Sequence, residues 1–436
     1  MGGLGWLSIV RLGLVQASIG AIVMLATSLL NRVMVVEYGL VAAIPAGLVA
    51  WHYAVQLSRP LWGYGSDKGN MRTPWIIGGM GVLALGAIIA INATMLIAGS
   101  PVLGGILAVL AFTMIGAGVG AAGTSLLALL AAGVVPERRA AAAALTWIMM
   151  IAGIVVAAAT AGSLLDPFSE QRLAIVGTSV ALAAFLLPLL ALAGLERRML
   201  AQPVAAAEGP EKTASFVEAL REILADFEAR RFTIFVFVSM LAYSMQDLIL
   251  EPFAGLVFAM TPGESTQLSG VQHGGVLLGM IVVGLGGSAF GGRRPSDLRR
   301  WIVGGCLGSA AALAGLAIAA VTGGDWPLQA NVFLLGFANG VFAVAAIGAM
   351  MGLAGAGTKA KEGVRMGVWG ASQAIAFGLG GLTGAIGVDI ARSVIGVDGP
   401  AFQLIFAFEA ALFVLAAVLA VQATAARKTP LGMAKT

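Results

Sequence analysis

Apolar stretches of twenty or more residues follow one another along this chain, separated by short polar or charged breaks. A helix needs about 20 mostly apolar residues to cross a bilayer. The pattern predicts twelve spans, at 11–35, 41–63, 74–96, 103–132, 140–162, 173–194, 232–258, 269–291, 301–321, 328–353, 364–388 and 402–424. The expected fold class is an all-α polytopic membrane protein. The first span is read as retained. Its run from Leu12 to Leu30 is longer than the roughly 7–15 apolar residues of a secretory signal, and no small-residue cleavage site follows. Trp6 stands where N-myristoylation requires Ser or Thr.

Composition agrees with this reading and removes other classes. Apolar residues make up 59% of the 436 residues and charged residues 11%, with mean hydropathy +0.96. A soluble domain carries about 25% charge, so a soluble enzyme, a disordered chain and a nucleic-acid binder are excluded. One cysteine, Cys306, and two histidines, His52 and His273, leave no basis for a disulfide or a protein-ligated metal site. No nucleophile–base pair or phosphate-cradling loop appears, so no enzyme is expected.

The basic residues set the orientation. With the N-terminus inside, all but Arg32, Arg172 and Arg392 fall at cytoplasmic loops or helix ends, as the positive-inside tendency requires. Both termini are then cytoplasmic. The chain also repeats itself. Trp75-Ile-Ile-Gly-Gly opens span 3 and Trp301-Ile-Val-Gly-Gly opens span 9; Gly116-Ala-Gly-Val-Gly120 in span 4 matches Gly336-Phe-Ala-Asn-Gly340 in span 10. Internal repeats of this kind mark transporter-type folds. The domain reading is a six-helix bundle over 1–195, a cytoplasmic linker over 196–231, a second six-helix bundle over 232–426 and a cytoplasmic tail over 427–436. Within the linker, Ser215-x-x-Glu218 and the spacing of Phe216, Leu220, Ile223, Leu224 and Phe227 predict an amphipathic helix.

Ionisable groups inside a membrane are costly, so each is a candidate for function. His52, Gln56 and Arg59 share one face of span 2. Tyr243, Asp247 and Glu251 share a face of span 7, and Asn31, Arg32 and Glu37 end span 1 at the matching place in the first half. Arg32 is expected to pair with Asp247 or Glu251 across the pseudo-two-fold interface. Gln272 and His273 lie in span 8. Each histidine is open to two readings, a ligand to a bound molecule or a packing histidine bonded to a carbonyl.

Gly63-Tyr-Gly-Ser-Asp67-Lys68-Gly-Asn-Met-Arg72 resembles the loop between spans 2 and 3 of the major facilitator superfamily, in which the acid latches the cytoplasmic helix ends. A narrower resemblance rests on Leu30-Asn31-Arg32-Val-Met-Val-Val-Glu37, Arg59-Pro-Leu-Trp-Gly-Tyr-Gly-Ser-Asp67, Tyr243-Ser-Met-Gln-Asp-Leu-Ile-Leu-Glu-Pro-Phe-Ala-Gly255 and Thr261-Pro-Gly-Glu-Ser-Thr-Gln-Leu-Ser-Gly-Val-Gln-His-Gly-Gly275. These segments resemble the bacteriochlorophyll delivery family, the PucC/LhaA-type proteins of phototrophic bacteria.

That resemblance implies a non-enzymatic assembly factor for light-harvesting complexes, with bacteriochlorophyll or a late precursor as bound cargo. It implies an intracytoplasmic photosynthetic inner membrane, and antenna polypeptides, bacteriochlorophyll synthase and the membrane-insertion machinery as partners. Chlorin magnesium accepts imidazole, amide or carboxylate ligands, so His52, Gln56, Gln272 and His273 are the pigment-binding candidates. The rival readings are a proton-coupled transporter of a small solute and a pigment-free scaffold.

Overall fold

The structure is a computed structural model, and it describes residues 4–59, 62, 71–135, 138–196, 225, 227–289, 295–355 and 362–423. The predicted linker helix, Gly63, Asp67 and Lys68 of the loop motif, and the tail 427–436 lie outside the described residues.

Eleven long helices and one shorter one form the described fold. They are α1 (Trp6–Glu37), α2 (Ala43–Val55, continued by a tight turn Gln56–Ser58), α3 (Thr73–Gly99), α4 (Pro101–Gly133), α5 (Arg139–Leu165), α6 (Glu170–Leu192), α7 (Phe227–Phe258), α8 (Pro262–Ala289), α9 (Pro295–Thr322), α10 (Leu328–Gly355), α11 (Glu362–Ile395) and α12 (Asp398–Ala423). Eleven of them are long and apolar enough by themselves to cross a membrane, and α2 supplies the twelfth helix of the series. The chain is a multi-pass membrane protein.

Several helices run past the apolar stretches that predict them, because polar residues cap their ends. α8 begins at Pro262 rather than near residue 269. There the Thr261 backbone N–H donates to Glu264 Oε2 at 2.9 Å and the Glu264 N–H donates to Thr261 Oγ1 at 3.1 Å, a capping box. The Ser169 hydroxyl likewise accepts from the Arg172 N–H at the start of α6.

Packing repeats at an interval of six helices. α1 lies against α5 and α6, and α7 against α11 and α12. α3 packs on α4 and α6, and α9 on α10 and α12. Glycines at repeated positions allow the close crossings. A Cβ on Gly79 would stand 2.6 Å from the Ala122 backbone nitrogen, and one on Gly305 would stand 2.6 Å from that of Phe342. These are the second glycines of the two Trp-Ile-x-Gly-Gly strings. Gly116 packs on the His52 carbonyl of α2, and Gly336 on the Gln272 carbonyl of α8. Small residues at such crossings let helices approach closely where no hydrophobic drive separates them from lipid. The halves meet where α5 packs on α8 and α2 on α11, and where α1 approaches α7.

Candidate functional site

Two groups of polar residues lie between the halves. The first is at the end of the bundle that carries Arg32. Here α1 is wound more loosely than an α-helix over Leu25–Leu29 and again over Val33–Glu37, as two π-helical segments around Leu30-Asn31-Arg32. Such segments concentrate at functional sites. Arg32 is 1% exposed; it pairs with Glu37 and donates from Nη2 to the Met260 carbonyl at 2.6 Å. Asn31 donates from Nδ2 to the Leu248 carbonyl at 2.7 Å. Both backbone acceptors belong to the other half.

The expected pairing of Arg32 with Asp247 or Glu251 is therefore corrected: the ion pair is with Glu37. The cause is the winding. In an α-helix of 3.6 residues per turn a residue five positions on has rotated away, whereas π-winding brings i and i+5 onto one side. Glu251 is buried nearby, without a partner in good hydrogen-bond geometry among the described residues. Gly255, one turn further along α7, leaves room for Arg32, whose Nη2 lies 3.1 Å from where a Cβ would stand.

The same end is joined by Asp389 of α11, which accepts from the Ala42 and Ala43 backbone N–H groups at the start of α2. Arg172 donates to the Asp166 carbonyl, and Arg392 pairs with Asp398 at 2.6 Å. Each arginine that breaks the charge asymmetry is thus held by a local acceptor. Just beyond α1, Tyr38 donates to Glu170 at 2.9 Å; partial burial and that carboxylate raise its phenol above the usual range.

The second group lies deeper, where α2, α7 and α11 converge. The Tyr53, Phe377 and Tyr243 rings form a line across the halves, with centroids 6.1 and 5.7 Å apart. Asp247, one turn from Tyr243, is half-buried and near enough for its charge to act on both phenols. Behind it, Glu409 of α12 and Gln246 are fully buried. Among the described residues no cluster of three or more His, Cys, Asp or Glu is placed to hold a metal ion.

The sequence candidates divide between interior packing and the half-buried interface. His52 is 1% exposed, and its Nδ1 lies 2.6 Å from the Val49 carbonyl. Gln56 is buried and accepts from Arg59 at 2.5 Å; Gln272 is buried at the α8–α10 crossing. His273 is half-buried, with Nδ1 2.9 Å from the Ser269 carbonyl. The glycine crossings make His52 and Gln272 counterparts in the two halves, so Tyr53 and His273, each one residue later, occupy matching positions. Tyr53, Phe377, Asp389 and Glu409 are not sequence candidates. Glu409 could have been found, because it is the one acid between residues 402 and 424.

At the Arg72 end an acid outside the loop motif holds the start of α3; Asp67 itself lies outside the described residues. Glu196, after α6, accepts from the Arg72 and Thr73 backbone N–H groups at 2.6 and 2.8 Å, and Arg72 Nη1 donates to the Ala128 carbonyl at 3.1 Å. A carboxylate thus sits on the positive N-terminus of α3.

The family model described as PUCC protein matches residues 29–428. The chain belongs to the PUCC protein family. "Bacteriochlorophyll synthase 44.5 kDa chain" of Rhodobacter capsulatus is 53% identical over 431 residues, covering 97% of each chain. "Protein PucC" of Cereibacter sphaeroides is 30% identical over 428 residues, covering 94% of this PucC-family chain and 90% of that protein. Among solved structures, a peptide-bound POT family transporter superposes with TM-score 0.70 at 12% identity, covering 96% of each chain. A variant of the nucleoside transporter NupG superposes with TM-score 0.67 at 15% identity, covering 95% of this chain and 99% of that one. The chain therefore shares the fold of these transporters.

Proposed function

We propose that this PucC-family protein binds bacteriochlorophyll, or a late precursor, between its two six-helix halves (1–195 and 232–426) and delivers it to light-harvesting antenna polypeptides. The observation that carries this reading is the PUCC family match across residues 29–428. The pigment name borne by the 53% identical relative supports the same cargo. The lining of the interface is chemically suited to it. Tyr53, Phe377 and Tyr243 offer ring faces to a planar macrocycle, and Asp247 and His273 offer half-buried oxygen and nitrogen atoms to its magnesium. His52, Gln56 and Gln272 are held in helix packing and are weaker ligand candidates.

In this reading the protein carries pigment and makes none; bacteriochlorophyll synthase and the insertion machinery are its neighbours. It resides in the photosynthetic inner membrane, with the Arg72 end and both termini in the cytoplasm, on the side where basic residues gather.

The test is transfer. Vesicles containing pigment-loaded protein are mixed with antenna polypeptides, and the pigment's red-most absorption band is followed. A shift that requires the protein supports delivery. Colourless protein that carries a solute with protons would replace this reading with a transporter, and antenna binding without pigment would replace it with a scaffold.

A further inference from the structure

Two carboxylates compete for one guanidinium at the Arg32 end. Glu37, 29% exposed at its side chain, holds Arg32. Glu251, 2% exposed, has no partner in good hydrogen-bond geometry among the described residues; the Ser28 and Ser269 hydroxyls and the charge of Arg32 are the polar groups that act on it. Arg32 Nε is also buried without an acceptor. An ionised carboxylate enclosed in a membrane protein without a partner is costly, so an enclosed Glu251 needs either a proton or Arg32. Arg32 stands between the two π-helical segments of α1, where one more or one fewer residue per turn redirects a side chain without breaking the helix.

We propose that Glu251 is a proton-binding site that controls closure of the Arg32 end. With its proton in place, Arg32 stays on Glu37 and on the Met260 carbonyl of the other half. When the proton leaves, the Glu251 carboxylate takes Arg32, the Met260 bond is lost and the two halves loosen at this end.

The surrounding groups are consistent with this assignment. Arg32 and Glu37 face Glu251 from α1. Asp247 lies one turn away on α7, with Glu409 of α12 behind it. Ser269 faces from α8, with His273 one turn on. Asp389 of α11 is engaged by the start of α2. Among the described residues, Arg32 is the cation that acts on Glu251. This switch goes beyond pigment delivery and would operate for any cargo.

The test uses the full chain in lipid nanodiscs, with nitroxide labels replacing Val41 and Val397. Both are exposed, and they lie in opposite halves at the Arg32 end. Interlabel distances are measured between about pH 5 and pH 9, from just above the ordinary carboxyl range to well beyond it. The separated population should grow with pH, by at most about tenfold per unit for a one-proton switch. Glu251→Gln should hold the short distance at every pH, and Glu37→Gln should favour separation at lower pH. A wild-type distance that ignores pH, an unchanged pH response in Glu251→Gln, or a response to sodium in place of pH would each overturn the proposal. Should Glu251→Gln fail to fold, an unchanged titration in Glu37→Gln would overturn it as well.

Discussion

Asp389 accepts the Ala43 backbone N–H at 2.7 Å, so a carboxylate from α11 sits on the first turn of α2 in the other half. It also accepts from Ala42 at 3.0 Å, which satisfies two of the donors that a helix start leaves unpaired. The helix dipole adds to this bond between halves. Asp389→Ala should weaken it by about 1–2 kcal/mol, the range for a charge at a helix end in a favourable site. The check is labelling of a cysteine placed at Val41, which should be faster in the variant. Unchanged labelling would mean that the bond contributes nothing to closure.

At the opposite end, Glu196 covers the start of α3 through the Arg72 and Thr73 N–H groups. Glu196→Ala should fray that turn at a cost of about 1 kcal/mol, with Glu196→Gln intermediate because one acceptor remains. Amide hydrogen exchange at Arg72 and Thr73 measures this. Equal protection in Glu196→Ala and the parent would show that other groups satisfy those donors.

The repeated glycines give a paired test. Gly79→Val and Gly305→Val place side chains against the Ala122 and Phe342 backbones. Each should cost about 1–3 kcal/mol, the usual penalty for overpacking. Their neighbours Gly78 and Gly304 face open space, with nothing within 4 Å of an added Cβ. Gly78→Ala and Gly304→Ala should therefore fold like the parent. Thermal unfolding in detergent separates the two sets. Similar melting temperatures across all four would contradict the close crossings.

Much of this architecture is legible in the sequence because lipid imposes long apolar helices, and the glycine strings mark where they cross. Arg32 shows what is not legible. Its five-residue spacing to Glu37 is unfavourable on an α-helix, and nothing in Leu25–Glu37 announces π-winding. Asp389 and the Tyr53–Phe377 contact are equally hidden, since each joins residues more than 300 positions apart. His52 is a further case. Its position in an apolar span invites a ligand role, and its burial with Nδ1 on the Val49 carbonyl is a contact that the spacing of polar residues does not announce.

Orientation is open to a direct check. Reporter fusions after Arg198 and after Lys428 should both read as cytoplasmic, because basic residues flank the Arg72 end of the bundle. A periplasmic signal at either would overturn the assignment of sides.

Pigment held at the interface between the halves would show in the absorption spectrum of the purified protein. The protein is affinity-purified from phototrophically grown cells beside Asp247→Ala and an unrelated twelve-helix membrane protein prepared in the same detergent. A bacteriochlorophyll band that follows the parent protein through size exclusion, falls in Asp247→Ala and is absent from the control is the predicted result. A parent protein as colourless as the control would contradict the account.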